Sequence, residues 1–132
     1  MKELVLDASV ILKWFAANEA GAREAARLRD DYEAGSVMVT VPPLLFLELV
    51  NVAGRRWKWT EDDLISFAAA LGELGFEVAE PRLVNVAAWT AGGLTAYDAT
   101  YVALAEERDL RLVTDDARIL GIAAGVAIPL AV

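Results

Sequence analysis

The stretch Val37-Met38-Val39-Thr40-Val41-Pro42-Pro43-Leu44-Leu45-Phe46-Leu47-Glu48-Leu49-Val50-Asn51-Val52-Ala53 changes character at its two prolines. Residues 37–41 are dense in β-branched side chains, which pack well on a pleated surface and read as a strand. The proline pair then opens a helix, because a proline in the first turn gives up no hydrogen bond that the helix would otherwise make. A strand running straight into a helix is the unit from which parallel sheets are built, since parallel neighbours need a long crossover between them. Glu48 is the only charge in the stretch. Its helical neighbours three and four residues away are Leu44, Leu45, Asn51 and Val52, so the acid shares a largely apolar face.

The alternation continues in both directions. Towards the N-terminus a strand is expected over 3–6, a helix over 9–17 and an amphipathic helix over 19–33. In the last of these Ala25, Leu28 and Tyr32 form the apolar stripe, while Arg23, Arg27, Asp30 and Asp31 face water. Towards the C-terminus the Glu48 helix runs to about Arg56. Thr60-Glu61-Asp62-Asp63 opens another helix with a capping-box arrangement, and Gly75 stops it. A strand is expected over 76–79. Pro81 at the first helical position starts a helix that Gly92-Gly93 ends, and Thr95 caps the helix holding Asp98. A strand over 111–114, a short helix over 117–123 and a strand over 126–128 complete the chain. This order predicts a single α/β domain over 1–132, a three-layer sandwich with a mostly parallel central sheet of four to five strands flanked by helices. In such sheets ligands lie beyond the carboxyl ends of the strands.

Composition narrows the function classes. The chain has 132 residues, 57% of them hydrophobic, enough for a real core in one domain. Cysteine is absent, which excludes a disulfide framework and fits a reducing cytoplasm. The longest uncharged stretches, 83–97 and 119–132, are too short for membrane spans and carry glycine or proline. Lys2 and Glu3 precede only three apolar residues, so no secretory signal is read at the N-terminus. Twelve basic against twenty acidic residues give a net charge of −8, which argues against a broad basic nucleic-acid surface. Neither the dinucleotide-binding nor the phosphate-loop glycine signature occurs.

Four acids interrupt or end apolar stretches: Asp7 after Leu4-Val5-Leu6, Glu48, Asp98 among Leu94, Thr95, Tyr101 and Val102, and Asp116 after Leu112-Val113-Thr114-Asp115. Burying an ionised carboxylate without a partner costs several kcal/mol and ends in pairing, protonation or metal coordination. There is no histidine, and no lysine or arginine lies within four residues of Glu48 or Asp98. Metal coordination leads, and oxygen donors without histidine or cysteine point to Mg²⁺ or Mn²⁺. The acids are too scattered for a calcium loop. If they hold metal, half of the net charge belongs to a cleft that attracts phosphate.

Ordinary roles compete with each assignment. Asp98 can complete a capping box with Thr95, Asp115 or Asp116 can cap the following helix, Ser9 can cap its own, and Asp7 can be a simple strand-end acid. No cap or turn suits Glu48. Arg55, Arg56 and Lys58 form the densest basic cluster, read either as a solvated helix end or as a contact for RNA phosphates. Trp57 and Trp59 beside it are assigned to the core or to an interface, with base stacking as the alternative.

Four blocks together resemble a known family: Leu4-Val5-Leu6-Asp7-Ala8-Ser9-Val10-Ile11-Leu12-Lys13-Trp14-Phe15, Pro43 with Glu48 and Asn51, Leu94-Thr95 with Tyr97-Asp98-Ala99 and Tyr101-Val102-Ala103-Leu104-Ala105, and Leu112-Val113-Thr114-Asp115-Asp116. Their order and spacing are similar to those of PIN-domain proteins, specifically VapC-type toxin ribonucleases. The resemblance implies an endoribonuclease dependent on Mg²⁺ or Mn²⁺ that cuts RNA through metal-activated water and leaves a 5′-phosphate. It implies inhibition by a cognate antitoxin and a homodimer. The family's four acids fall on Asp7, Glu48, Asp98 and, at the end of the Thr114 block, Asp116, with Asp115 an extra acid that either is a further metal ligand, assisting a second ion, or faces solvent. Ser9 and Thr114 are placed to hydrogen-bond the acids that hold the ion.

Two other classes are weighed against this. A phosphatase or phosphoacceptor domain also carries an aspartate after its first strand, but Asp7-Ala8-Ser9 lacks the second aspartate of a haloacid-dehalogenase-like site. A catalytically silent binding module with the same fold would not need all four acids.

Overall fold

In the computed structural model, residues 2–16 and 20–130 are described. Among them five strands and seven helices alternate: β1 (Lys2–Leu6), α1 (Ala8–Phe15), α2 (Ala22–Glu33), β2 (Val37–Val41), α3 (Leu44–Arg55), α4 (Glu61–Gly72), β3 (Glu77–Val78), α5 (Leu83–Ala91), α6 (Ala96–Glu107), β4 (Arg111–Thr114), α7 (Ala117–Ile122) and β5 (Ala127–Pro129). The strands form one sheet in the order β3-β2-β1-β4-β5, and every pairing is parallel. The expected α/β sandwich is therefore present, with the sheet at the upper end of the predicted strand count.

Burial explains why the sheet lies in the middle. Leu4, Val5 and Leu6 on β1 and Leu112, Val113 and Thr114 on β4 are buried consecutively, so both faces of these strands are covered. Helix α1 packs on α2 and α3, α5 packs on α6, and α6 lies across β1 and β4. Its apolar residues Val102, Leu104 and Ala105 point around the whole helix and are all buried, as befits the most central helix. The α2 stripe is as predicted, with Ala25 buried, Leu28 and Tyr32 half-buried and the four charged residues exposed. Trp57 and Trp59 pack against the core, Trp59 edge-on to Phe67 with ring centres 5.2 Å apart.

Several helix starts differ from the sequence reading. Asp7, not Ser9, caps α1, and Ser9 lies inside the first turn with its hydroxyl turned back to Asp7. Pro81 lies two residues before α5 and is not its first helical residue; Arg82 is the cap. The reason is tertiary: the Arg82 N–H and the Asn85 side-chain amide both donate to Glu107 at the far end of α6, so α5 is anchored from outside. Helix α4 ends at Gly72, three residues before Gly75, which adopts the left-handed φ of 77° in the turn towards β3. The predicted end of the first helix at 17 and start of the second at 19 lie outside the described residues.

The chain leaves β1 in one direction across the sheet and returns to its other side at β4. The topological switch therefore falls between β1 and β4, where a crevice opens beyond the carboxyl ends. Asp7 directly follows β1 and Asp115-Asp116 directly follow β4, at this point.

Candidate metal centre

The switch point is stitched by two hydroxyls. The Ser9 hydroxyl donates to Asp7 Oδ1 at 2.6 Å and accepts the Asp115 backbone N–H at 3.1 Å. The Thr114 hydroxyl donates to Asp7 Oδ2 and accepts the Asp116 backbone N–H at 3.0 Å. Each hydroxyl thus links the carboxylate at the end of β1 to the backbone beyond β4, and both oxygens of Asp7 are fixed in direction. The Val10 N–H adds a long contact to Oδ1 at 3.4 Å.

Asp7 is 5% exposed and has no basic partner among the described residues. Burial pushes its pKa up to about 6, against the pull of hydrogen bonds from Ser9, Thr114 and Val10, and the charge of Asp98 pushes the same way. Glu48 is half-buried on α3 and its pKa is also raised, first by desolvation and further by Asp98, while a hydrogen bond from the Tyr101 hydroxyl opposes the rise. Asp98 completes the pattern in the first turn of α6. Burial and the charge of Asp116 raise its pKa, opposed by Thr95 and by Arg118. Asp98 is therefore the hub: it feels Asp116 directly, and Asp7 and Glu48 both feel it.

The local roles are real as well. Asp7 and Asp116 cap α1 and α7, the latter accepting the Ile119 N–H at 2.9 Å, and the Asp98 N–H donates to the Thr95 hydroxyl at 3.1 Å. Capping does not compete with a shared field, because a carboxylate oxygen has two lone pairs and each acid has two oxygens. Glu48, with no cap to make, stands on α3 facing the same cluster.

Sequence reasoning missed three participants. Lys13 folds in from α1 to ion-pair with Asp115, a partner 102 residues away, so Asp115 is neutralised beside the cluster. Arg118, in the first turn of α7, is the cation whose charge reaches Asp98. Tyr101 meets Glu48 across 53 residues. A signal for Tyr101 was present: a phenol among buried aliphatics needs a partner for its hydroxyl. Arg55 is seven residues past Glu48, about 10 Å along a helix that leads away from the carboxyl edge.

No three acids among the described residues stand close enough to grip a metal ion by themselves. The donor set nevertheless fits a hard divalent cation in its chemistry: four coupled carboxylates, three of them shifted towards protonation, with oxygen donors only. Mg²⁺ keeps several waters and takes one or two carboxylates, so a closed protein cage is not what it requires.

The PIN-domain family profile matches residues 4–125. The chain belongs to the PIN-domain family. Among solved structures, PAE2754 from Pyrobaculum aerophilum is similar with a TM-score of 0.68 at 25% identity, over 98% of this chain and 90% of that one. VapBC-1 from nontypeable Haemophilus influenzae gives 0.69 at 13% identity, over 98% and 99%. DNA-bound VapBC from Salmonella typhimurium gives 0.67 at 16%, over 99% and 100%. The last two show that the PIN fold is shared. No curated protein matches the chain.

Proposed function

We propose that this PIN-domain chain is an endoribonuclease dependent on Mg²⁺ or Mn²⁺ and the toxin of a toxin–antitoxin pair. The observation that carries the reading is Asp7: a buried carboxylate held by two hydroxyls, unpaired with any base among the described residues, at the switch point beside three further acids. Asp7, Glu48, Asp98 and Asp116 would hold the ion, with Asp115 reserved for Lys13. When bound, a divalent cation activates water and neutralises charge on the phosphoryl oxygens. The protein's part is to fix Asp7 through Ser9 and Thr114, to keep Glu48 directed at the cluster, and to offer Arg118 to a phosphate oxygen near Asp98. The Arg55, Arg56 and Lys58 cluster would meet RNA farther along the strand.

The test is cleavage of a mixed RNA pool with Mn²⁺, Mg²⁺ or chelator. The expected result is cutting with either metal, products bearing 5′-phosphates, and no cutting after chelation. Cleavage that survives chelation sinks the reading.

A cognate antitoxin and a second copy are the partners in this proposal, in the cytoplasm; no helix among the described residues is long and apolar enough to cross a membrane. Both VapBC structures described above share the fold of this chain. An apolar patch supports a protein partner: Leu47, Leu83 and Tyr97 are 71%, 79% and 64% exposed, and grooves of about 420 and 450 Å³ share Leu44 and Tyr97, the second reaching Glu48. Sedimentation of the antitoxin-free chain at tens of micromolar is expected to show a dimer that Leu47→Asp dissociates. A wild-type monomer there removes the second copy from the account.

A further inference from the structure

We infer that Tyr101 is a positioning residue that holds the Glu48 carboxylate in its cation-binding orientation. The inference rests on the metal-centre reading above and adds a residue to it. Tyr101 is 1% exposed and lies on α6 one turn after Asp98, so the two share a helix face. Its hydroxyl donates to Glu48 Oε1 on α3, tying together the two helices that supply the middle acids. A phenol hydroxyl can donate, whereas an ionised carboxylate only accepts, so the direction of this bond is fixed by the chemistry of its two partners.

The physical effect is on freedom and direction. A glutamate has several rotatable bonds, and fixing them without a partner costs side-chain entropy. With Oε1 held by a rigid ring anchored in the core, the second oxygen is left for a cation and its direction is set before the cation arrives. Removing the phenol oxygen leaves Glu48 half-buried with neither fixed direction nor a neutral donor.

The test compares Mn²⁺ binding by calorimetry on the RNA-free full chain, together with the Mn²⁺ concentration giving half-maximal RNA cleavage. Tyr101→Phe keeps the ring and is expected to weaken Mn²⁺ affinity 10- to 100-fold, the usual effect of removing a group that orients a ligand. The loss should appear in the metal requirement more than in the maximal rate. Tyr32→Phe is the control: Tyr32 likewise donates from a ring packed in the core, to the Leu74 carbonyl, and its loss should cost stability without moving Mn²⁺ affinity. In a Glu48→Gln background Tyr101→Phe should add no further loss, which a purely structural role does not predict. Mn²⁺ affinity within twofold of wild type in Tyr101→Phe, while Glu48→Gln loses it, overturns the role of Tyr101 and spares the metal centre. Unchanged affinity in Glu48→Gln overturns both. Should Tyr101→Phe fail to fold, Tyr101→Leu and Tyr101→Met are read in its place with the same expected loss, and Mn²⁺ affinity within twofold of wild type in either folded variant overturns the role.

Discussion

Glu48→Gln and Asp98→Asn are each expected to slow RNA cleavage by about 10²-fold or more while leaving the chain folded. Both changes are nearly isosteric. In Glu48→Gln the amide oxygen still accepts from Tyr101, so α3 and α6 remain tied, and only the negative charge is lost. Asp98→Asn leaves the Thr95 cap of α6 in place, because that bond uses the backbone N–H. It gives up a favourable anion at a helix N-terminus, worth about 0.3–1 kcal/mol, and relieves repulsion from Asp116. Thermal unfolding should therefore show midpoints equal to or above wild type. Initial cleavage rates in Mn²⁺, measured on the same preparations, test the catalytic half. Unfolded variants, or variants that still cut at the wild-type rate, would refute the assignment.

The second large effect is on stability. Asp7→Asn should stabilise the metal-free chain at pH 7 to 8 by about 1–2 kcal/mol, a rise of roughly 5 °C in midpoint, because losing the buried charge outweighs the acceptor that the amide nitrogen takes from Ser9 or Thr114. The sign follows from burial. The Asp7 pKa is about 6 in the folded chain against an ordinary 3.8, so the native state binds the extra proton between these values. Stability then falls as pH rises from about 4 to about 6 and stays lower above that window. Glu48 and Asp98, also raised, act in the same direction. Asparagine removes the slope due to Asp7 and can still accept the Val10 N–H at the α1 cap. Mn²⁺ should restore stability to wild type at high pH and do much less for the variant. A flat pH profile between 4 and 6 in the metal-free wild type would contradict the buried, unpaired state of Asp7.

Much of the architecture was legible in local chemistry. β2 and β4 fall where β-branched runs place them, and the α4 and α6 caps fall on Thr60 and Thr95 because a threonine before an apolar periodic segment has one evident use. Elements anchored by distant residues were not legible. The start of α5 depends on Glu107, twenty-five positions from Arg82, and nothing near Pro81 signals it. The acids divide in the same way. Glu48 stood out because a mid-helix carboxylate on an apolar face has no local explanation, and Asp7 because it ends a buried strand. Their connections, Tyr101 to Glu48, Lys13 to Asp115 and Arg118 to Asp98, join different elements and follow from how α6 packs on β1 and β4 and how α1 sits beside β4. Lys13 also shows why two adjacent aspartates that look equivalent in sequence have different fates: one is paired with a lysine and the other caps α7 beside Asp98.

Calorimetric titration of Mn²⁺ into the RNA-free chain at pH 8, wild type against Asp98→Asn, goes straight to the shared site. The four acids acting on one cation predict saturable binding by the wild type, weakening as pH falls through about 6, and loss of that binding when the hub carboxylate is removed. No heat of binding in the wild type, or identical isotherms for the two proteins, would contradict it.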